Sequence, residues 1–271
     1  MRAELRKARD RAGRTQREVA DALDWSTSKV IRIETGAVNI STTDLRALLQ
    51  FYGEPTDVIE ELVQTARAGR QRVWWDRYKQ NISSEMVTLL EFESSTSLIR
   101  QFQSLIIPGL LQTEEYARAV LGLYFPEDQL EYRVKLRMER QRILDGDDAV
   151  KSFFVMDEAS LRRWVGGPAV MRAQLQRLKE WAKRPNISIQ VLTFDKGIYR
   201  GMRGNFEVFE FPTEDQDHVV YLEWPGGDTV IQNNPRQVSN YVEIFLEMEA
   251  LATTPDEFDA LVDRLMGEIP S

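Results

Sequence analysis

Four polar side chains with complementary hydrogen-bonding chemistry stand close together near the N-terminus: Thr27, Ser28, Lys29 and Arg32. A guanidinium pairs bidentately with guanine O6 and N7, hydroxyl groups bond to base edges, and an ammonium suits a base or a phosphate. Gln16 opens the helix predicted before them, where an amide side chain and free backbone N–H groups bind a phosphate together. These residue types predict contacts with double-stranded DNA, to bases from the first four residues and to phosphate from Gln16.

Two short predicted helices position these side chains. Thr15 and Glu18 have the spacing of a capping box, in which hydroxyl and carboxylate satisfy free backbone amides at a helix start. Ser26 is predicted to cap the second helix and Gly36 to end it. Apolar residues at helical spacing are predicted to face inward: Val19, Ala20, Leu23, Val30 and Ile33. This layout is typical of a major-groove reader, although periodicity alone fits a small helical bundle equally well.

The segment RxxRxxAGRTQREVADALDWSTSKVIRIETG, within residues 4–60, resembles the Cro/CI-type, Xre-like helix-turn-helix family. The resemblance implies that the glutamine opening the second helix contacts phosphate and that exposed residues at the start of the third read bases. It also implies that Arg9 of the first helix pairs with Glu34, and we predict in addition that Arg9 contacts phosphate. Asp24 stands where the family has a glycine in a left-handed conformation, which predicts a small stability cost.

Charge is distributed unevenly along the chain. Residues 1–36 contain nine Lys and Arg against six acids, a balance of +3, which leaves −11 for the rest of a chain whose total is −8. A slightly basic N-terminal part on an acidic remainder is the distribution expected of a DNA reader joined to a domain that does not bind DNA. A chance asymmetry of an ordinary surface is the alternative.

Composition excludes several classes of protein. The 271 residues include no cysteine, which excludes disulfides and thiolate metal sites and fits a reducing cytoplasm. The first residues lack the apolar core of a signal peptide, and no run of about 18 apolar residues could form a membrane span. We therefore expect a soluble cytoplasmic protein without membrane attachment.

Hydrophobic patterning divides the chain into two predicted domains joined by a linker at 66–72. Residues 1–68 are predicted to form an all-α domain of about five helices, and 71–271 an α+β domain with a mixed, mostly antiparallel sheet. KSFFVM and ISIQVL flank a helical stretch, which predicts a strand–helix–strand crossover, and three later short apolar runs have hairpin spacing. SLIRQFQSLII fits a helix or an extended segment equally well.

The larger domain resembles the antitoxin-like domain that follows an Xre-type helix-turn-helix in a bacterial regulator family. That resemblance implies a small cognate partner protein encoded beside the regulator. Thr193 departs from the family pattern, in which proline is common. The resemblance is carried by IIPGLLQTEEYARAV (106–120), MERQRIL (138–144), MDEASLRRWVGGPAVMRAQL (156–175), NISIQVLTFDKGIYRGMRGNFEVFEF (186–211) and HVVYLEW (218–224).

The sequence of the larger domain contains no strong pattern of a catalytic, metal or cofactor site. His218 is the sole histidine, so no multi-histidine metal site is possible, and its position predicts a surface residue. Asp157, Glu158 and Glu223 are candidate acid–base groups, but nothing in the sequence brings them together. The glycines of GIYRGMRGNF lack a phosphate-binding frame. We expect no enzyme activity, no metal and no cofactor.

Taken together, these patterns predict a sequence-specific DNA-binding transcription regulator that acts as a homodimer, because one small helix-turn-helix reads few bases. Two hypotheses remain for its signal: a small cognate protein, or a small molecule sensed by the C-terminal domain. The IPGLLQT segment is expected to pack in the core around a Pro-Gly turn through Ile106, Ile107, Leu110 and Leu111, and a ligand cleft or partner surface is the alternative.

Overall fold

A computed structural model of the chain describes residues 2–35, 40–68, 74–146, 149–211, 218–223, 227–232 and 234–270. The chain divides into two compact units, an N-terminal unit over Met1–Asp76 and a C-terminal unit over Arg77–Ser271. The predicted linker at 66–72 begins inside a helix that extends to Ala68, and the rest of it lies outside the described residues.

The N-terminal unit is helical, as predicted. Its described helices are α1 (Arg2–Arg11), α2 (Gln16–Ala22), α3 (Thr27–Thr35), α4 (Thr42–Phe51) and α5 (Thr56–Ala68). They pack around one apolar core in which α4 places Leu45, Leu48 and Leu49, spaced so that they lie on one helix face. Val19 of α2 and Val30 of α3 are buried in the same core. The expected all-α domain of about five helices is confirmed.

The C-terminal unit contains a six-stranded sheet in the described residues, with strand order β3-β2-β1-β4-β5-β6. β1 pairs in parallel with β2, and β2 with β3, whereas the other three pairings are antiparallel. The sheet is therefore mixed and mostly antiparallel, which confirms the predicted fold class. The strands are β1 (Leu98–Gln103), β2 (Lys151–Asp157), β3 (Ile187–Leu192), β4 (Phe206–Glu210), β5 (Val219–Leu222) and β6 (Thr229–Ile231).

Helices join the parallel strands because a parallel pairing needs a crossover connection. The predicted strand–helix–strand unit is confirmed, with two helices between β2 and β3. The α-helices described in the whole C-terminal unit are α6 (Ser84–Ser95), α7 (Glu114–Leu121), α8 (Glu127–Arg140), α9 (Glu158–Arg162), α10 (Pro168–Ala182), α11 (Pro235–Leu251) and α12 (Pro255–Glu268). In the described part of the chain, no helix combines the length and the apolar character needed to cross a bilayer.

The two faces of the sheet bury different cores. Successive side chains of a strand point to opposite faces, so Ile99 of β1 joins one core and Phe102 the other. The first core includes residues of α6, α7, α10 and α12, and the second is closed by α11 through Phe245 and Met248. The ambiguous segment SLIRQFQ is extended because β1 has a hydrogen-bonded strand on each side.

The turn between α2 and α3 depends on Asp24, whose φ is +52°. Among the described residues other than glycine, no further one has a positive φ. The Trp25 amide donates to the Ala20 carbonyl at 2.9 Å, closing the C-terminal turn of α2 in a Schellman arrangement. The left-handed conformation expected at Asp24 is present, at a position where glycine carries no steric penalty.

We predict that Asp24→Gly raises the free energy of unfolding of the N-terminal unit by about 0.5–1 kcal/mol. The steric penalty of a left-handed aspartate, which glycine removes, is larger than the additional conformational entropy that glycine loses on folding. Asp24→Val should lower it, since a β-branched residue resists positive φ. Native-state hydrogen exchange of the α2 and α3 amides measures both effects. Equal protection in the two variants would contradict the strain at Asp24.

Candidate nucleic-acid interface

The start of α2 is held by a capping box. The Glu18 backbone N–H donates to Thr15 Oγ1 at 3.2 Å, and the Thr15 N–H donates to Glu18 Oε2 at 2.8 Å. The Thr15 hydroxyl also donates to Glu18 Oε2, at 3.0 Å. The two bonds that Thr15 donates to this carboxylate, the backbone one first, lower the pKa of Glu18. Both partners are exposed, so the box sets the first turn of α2 while leaving the Gln16 backbone at the protein surface.

Helix α3 is oriented by its cap and by its apolar stripe. The Lys29 backbone N–H donates to Ser26 Oγ at 3.2 Å, so Ser26 caps the helix. Val30 and Ile33 are buried in the core of the N-terminal unit, together with Ala20 of α2. Thr27, one turn before Val30, is exposed. Thr27 lies on the same helix face as Val30 but beyond the edge of the core, so the N-terminal end of α3 lies at the protein surface.

Lys29 is held by two neighbours that sequence reasoning did not anticipate. Its Nζ lies 3.1 Å from Asp44 Oδ2 of α4 and 3.8 Å from the centre of the Trp25 ring. A cation over an indole ring is attracted by the ring quadrupole, so Lys29 joins α3 to α4 and to the turn. The Trp25–Lys29 spacing of four residues was the available signal. Contact of Lys29 with a base stays a prediction, and it would require leaving these partners.

Three residues of the predicted site have no described side chain. The backbones of Ser28 and Arg32 lie in α3, but their side chains, and Gly36 as a whole, lie outside the described residues. The predicted base contacts of Ser28 and Arg32 and the helix-ending role of Gly36 therefore stay predictions.

Glu34 joins three helices through one buried carboxylate. Its Oε1 accepts from Arg9 Nε of α1 at 2.7 Å, and its Oε2 accepts from Gln16 Nε2 of α2 at 2.8 Å. The Glu34 side chain is 3% exposed and that of Arg9 is 13% exposed. Hydrogen bonding to Glu34 is the largest cause that raises the pKa of Arg9. Charge-assisted bonds of this kind are the strong ones.

The Arg9–Glu34 pair implied by the family resemblance is present. Arg9 Nη1 also donates to the Arg14 carbonyl at 2.8 Å and lies 2.9 Å from Asp10 Oδ1. In this structure Arg9 and Gln16 are thus bound to protein groups, and their phosphate contacts stay predictions. Gln16 has a second amide N–H for such a contact.

A second site with unusual chemistry lies in the C-terminal unit, on the sheet face that packs on α6 and α10. Gln101 Nε2 of β1 donates to Glu207 Oε1 of β4 at 2.6 Å, and Gln103 Nε2 donates to Glu223 Oε2 at 3.0 Å. Gln101, Gln103 and Glu207 are each 3% exposed. One oxygen of each of these three, Gln101 Oε1, Gln103 Oε1 and Glu207 Oε2, has no hydrogen-bond partner in the described part of the chain.

Two arginines of α8 face this buried polar cluster. Arg140 Nε and Nη2 donate to the two oxygens of Glu93 at 3.0 and 2.6 Å, and that attraction outweighs burial and raises the pKa of Arg140. Arg137 Nη1 donates to Gln112 Oε1 at 2.9 Å. Burial and the charge of Arg140 lower the pKa of Arg137 to about 10. Burial, Glu223 and Glu93 raise the pKa of Glu207 well above its ordinary value.

The IPGLLQT segment lies against this cluster as a packed element. Ile107, Leu110 and Leu111 are buried in the core. Side chains clamp its backbone: Gln112 Nε2 donates to the Ile107 carbonyl at 2.8 Å, and the Ile107 N–H donates to the Tyr116 hydroxyl at 3.1 Å. The predicted core role is confirmed for these three residues, and a ligand or partner role of the segment stays a hypothesis.

The candidate acid–base groups are each engaged separately. Asp157 accepts from the Tyr199 hydroxyl, Glu158 pairs with Arg162, and Glu223 bonds to Gln103. His218 is exposed just before β5. No two of the three carboxylates share a partner in these bonds.

Comparison with known proteins agrees with this geometry. Residues 1–62 match a helix-turn-helix domain, and together with the exposed start of α3 this makes the protein a DNA-binding regulator of transcription. Residues 86–264, more than half of the chain, match the family described as a domain of unknown function, DUF5753. The chain belongs to that family. No curated protein and no solved structure matches the chain.

We predict that Glu34→Ala lowers the free energy of unfolding of the N-terminal unit by about 3 kcal/mol, because Arg9 and Gln16 lose a buried acceptor. Glu60→Ala is the matched control, since it removes an exposed pair with Arg46 and should cost under about 1 kcal/mol. Hydrogen exchange of the α1–α3 amides measures both. A Glu34→Ala cost as small as that of the control would show that the carboxylate does not hold the three helices.

Proposed function

We propose that this protein is an Xre-like, sequence-specific transcription regulator that reads its operator with the N-terminal end of α3. The observation that supports it most is the orientation of α3: Val30 and Ile33 are buried, and Thr27 is exposed beside the Ser26 cap. The net charge of +3 over residues 1–36 favours approach to a polyanion. Base contacts are assigned to Thr27, Ser28, Lys29 and Arg32.

The active form is proposed to be a homodimer. One recognition helix reads only a few base pairs, and dimeric proteins of this architecture bind half-sites about 34–36 Å apart. An operator with two related half-sites one helical turn apart is therefore expected, in the reducing cytoplasm that the absence of cysteine fits.

A gel shift with the DNA upstream of its own gene, at about 0.15 M salt, tests DNA reading. The variant Thr27→Ala/Ser28→Ala/Arg32→Ala should lose the specific shift. Glu60→Ala, which lies on α5 and is exposed, should keep it. A shift that persists in the triple variant would overturn the assignment of α3 as the reader.

We predict that Arg32→Ala and Gln16→Ala weaken DNA binding in different ways. Arg32→Ala should cost about 1–3 kcal/mol at one base pair only, if its guanidinium reads guanine. Gln16→Ala should weaken all sequences about equally, since a phosphate contact carries no direct sequence information. Titration of single-base operator variants measures the difference. Because Gln16 also bonds Glu34, folding of this variant is verified by circular dichroism first. Sequence-independent losses in both variants would contradict base reading by Arg32.

The C-terminal unit is proposed to receive the signal and to have no catalytic role. The family resemblance of residues 71–271 supports an antitoxin-like domain controlled by a small cognate protein. The separate engagement of Asp157, Glu158 and Glu223 supports a binding role, because acid–base catalysis needs groups that converge on one reacting atom. Co-purification with the product of a short adjacent reading frame tests this proposal.

A small-molecule sensor is the second candidate, and the buried polar cluster favours it. Three buried side-chain oxygens have no hydrogen-bond partner in the described part of the chain. Such groups are costly in an interior, and a polar ligand would satisfy them. Arg137, whose described hydrogen bond is to the amide of Gln112, suits an anionic group of the same ligand. Thermal shift with polar amine- and carboxylate-bearing metabolites tests this candidate. A shift that disappears in Glu207→Gln would place the ligand at the cluster.

We predict that Glu207→Gln raises the melting temperature at pH 8 and that the gain disappears near pH 4. A carboxyl whose folded pKa is above its unfolded value of about 4.5 binds an extra proton in the folded state, so stability falls as pH rises between the two values. Glutamine removes that dependence. Calorimetry over this pH range measures it. A variant less stable than the wild type at pH 8 would show that ionised Glu207 is stabilised by the arginines.

A further inference from the structure

Exposed apolar side chains concentrate at one edge of the C-terminal sheet. Nine large hydrophobic side chains of the described residues are exposed, and five of them follow the carboxyl ends of the parallel strands β1, β2 and β3. Parallel strands end at the same edge, so these five lie at one edge of the sheet. We call them the strand-end patch: Leu105, Trp164, Phe194, Ile198 and Met202.

The strand-end patch rests on a fixed frame. The Tyr199 hydroxyl bonds to Asp157 at the end of β2, and the Phe194 N–H donates to Glu158 Oε2 at 2.8 Å. A Cβ added to Gly201 would lie 2.2 Å from Met248 Sδ, so the segment is pressed closely onto α11. Ile198, at 89% exposure the most exposed of the five, therefore lies between Phe194 and Tyr199, which bond to the start of α9 and to the end of β2.

Cationic side chains lie beside the patch, although the chain beyond residue 36 carries −11. Residues 157–164 and 193–205 contain five Lys and Arg and three acids, and Arg162 and Arg200 are paired with Glu158 and Glu247. Arg163 and Arg203 are exposed and form no ion pair with any described residue. Trp, Phe, Met and Arg are the types enriched where proteins bind one another, and an exposed apolar patch rimmed by polar groups marks such a surface. The charge of the rim favours an acidic partner.

We infer that the strand-end patch binds the small cognate protein, through an apolar segment of that protein flanked by Asp and Glu side chains. The inference rests on the proposed function, and it adds the surface and the chemistry of the partner. Self-association of two such patches is disfavoured because their arginines would repel one another. The fixed frame favours a protein over a lipid surface, since a preformed arrangement of side chains gains most from a complementary shape.

The test uses the full chain and the purified product of the short reading frame beside its gene, with affinity measured by titration calorimetry. Ile198→Glu and Met202→Glu should each weaken binding at least about 30-fold. Arg163→Glu/Arg203→Glu should weaken it and reduce its dependence on salt. Leu123→Glu is the matched control, because Leu123 is 81% exposed after α7 and should leave the affinity unchanged.

Each result decides a different point. Equal binding by the wild type and both patch variants would overturn the strand-end patch and leave the partner proposal standing. Absence of binding by the wild type would overturn the partner proposal, and the patch with it. Anionic phospholipid vesicles that capture the wild type but not Ile198→Glu would assign the patch to a lipid surface and overturn the inference. Unchanged circular dichroism and unchanged operator binding show that the variants are folded.

Discussion

The Glu34 carboxylate is buried in the N-terminal unit, and a buried charge is tolerated only where it is paired and hydrogen-bonded. Arg9 and Gln16 meet that requirement at 2.7 and 2.8 Å, and they come from two other helices. The requirement therefore decides how α1, α2 and α3 approach one another. Because the burial of Val30 and Ile33 then sets the rotation of α3, the position of its exposed N-terminal end depends on the bonds that Glu34 makes to the other two helices.

In the C-terminal unit, the arrangement of the sheet depends on β1. This strand is the boundary between the parallel and antiparallel parts of the sheet, because it pairs with β2 on one side and with β4 on the other. Its side chains Gln101 and Gln103 join other buried polar groups of this unit, among them Glu93, Arg140 and Glu207. Two residues beyond Gln103 the chain reaches Leu105 of the strand-end patch.

Some elements could be predicted from local sequence spacing, and others could not. The capping box, the Ser26 cap and the crossover between β2 and β3 follow from local spacing, and the structure contains each of them. The segment of β1 was ambiguous because a short apolar run suits a buried strand and a buried helix alike, and only pairing with β2 and β4 decides it. The contacts of Lys29 with Trp25 and Asp44 were not predicted from the sequence. Asp44 belongs to another helix, so no local spacing indicates its pair with Lys29.

The sequence by itself determined most of the elements, the fold class and the helix-turn-helix, since caps, helical periodicity and strand alternation act between residues a few positions apart. Only the tertiary structure decided which polar groups meet. Gln101 and Glu207 are 106 residues apart in the chain and bond across two strands, and the five side chains of the strand-end patch come from three separate connections. Sites of this kind are assembled by strand order and register, and neither is encoded in any local stretch of the chain.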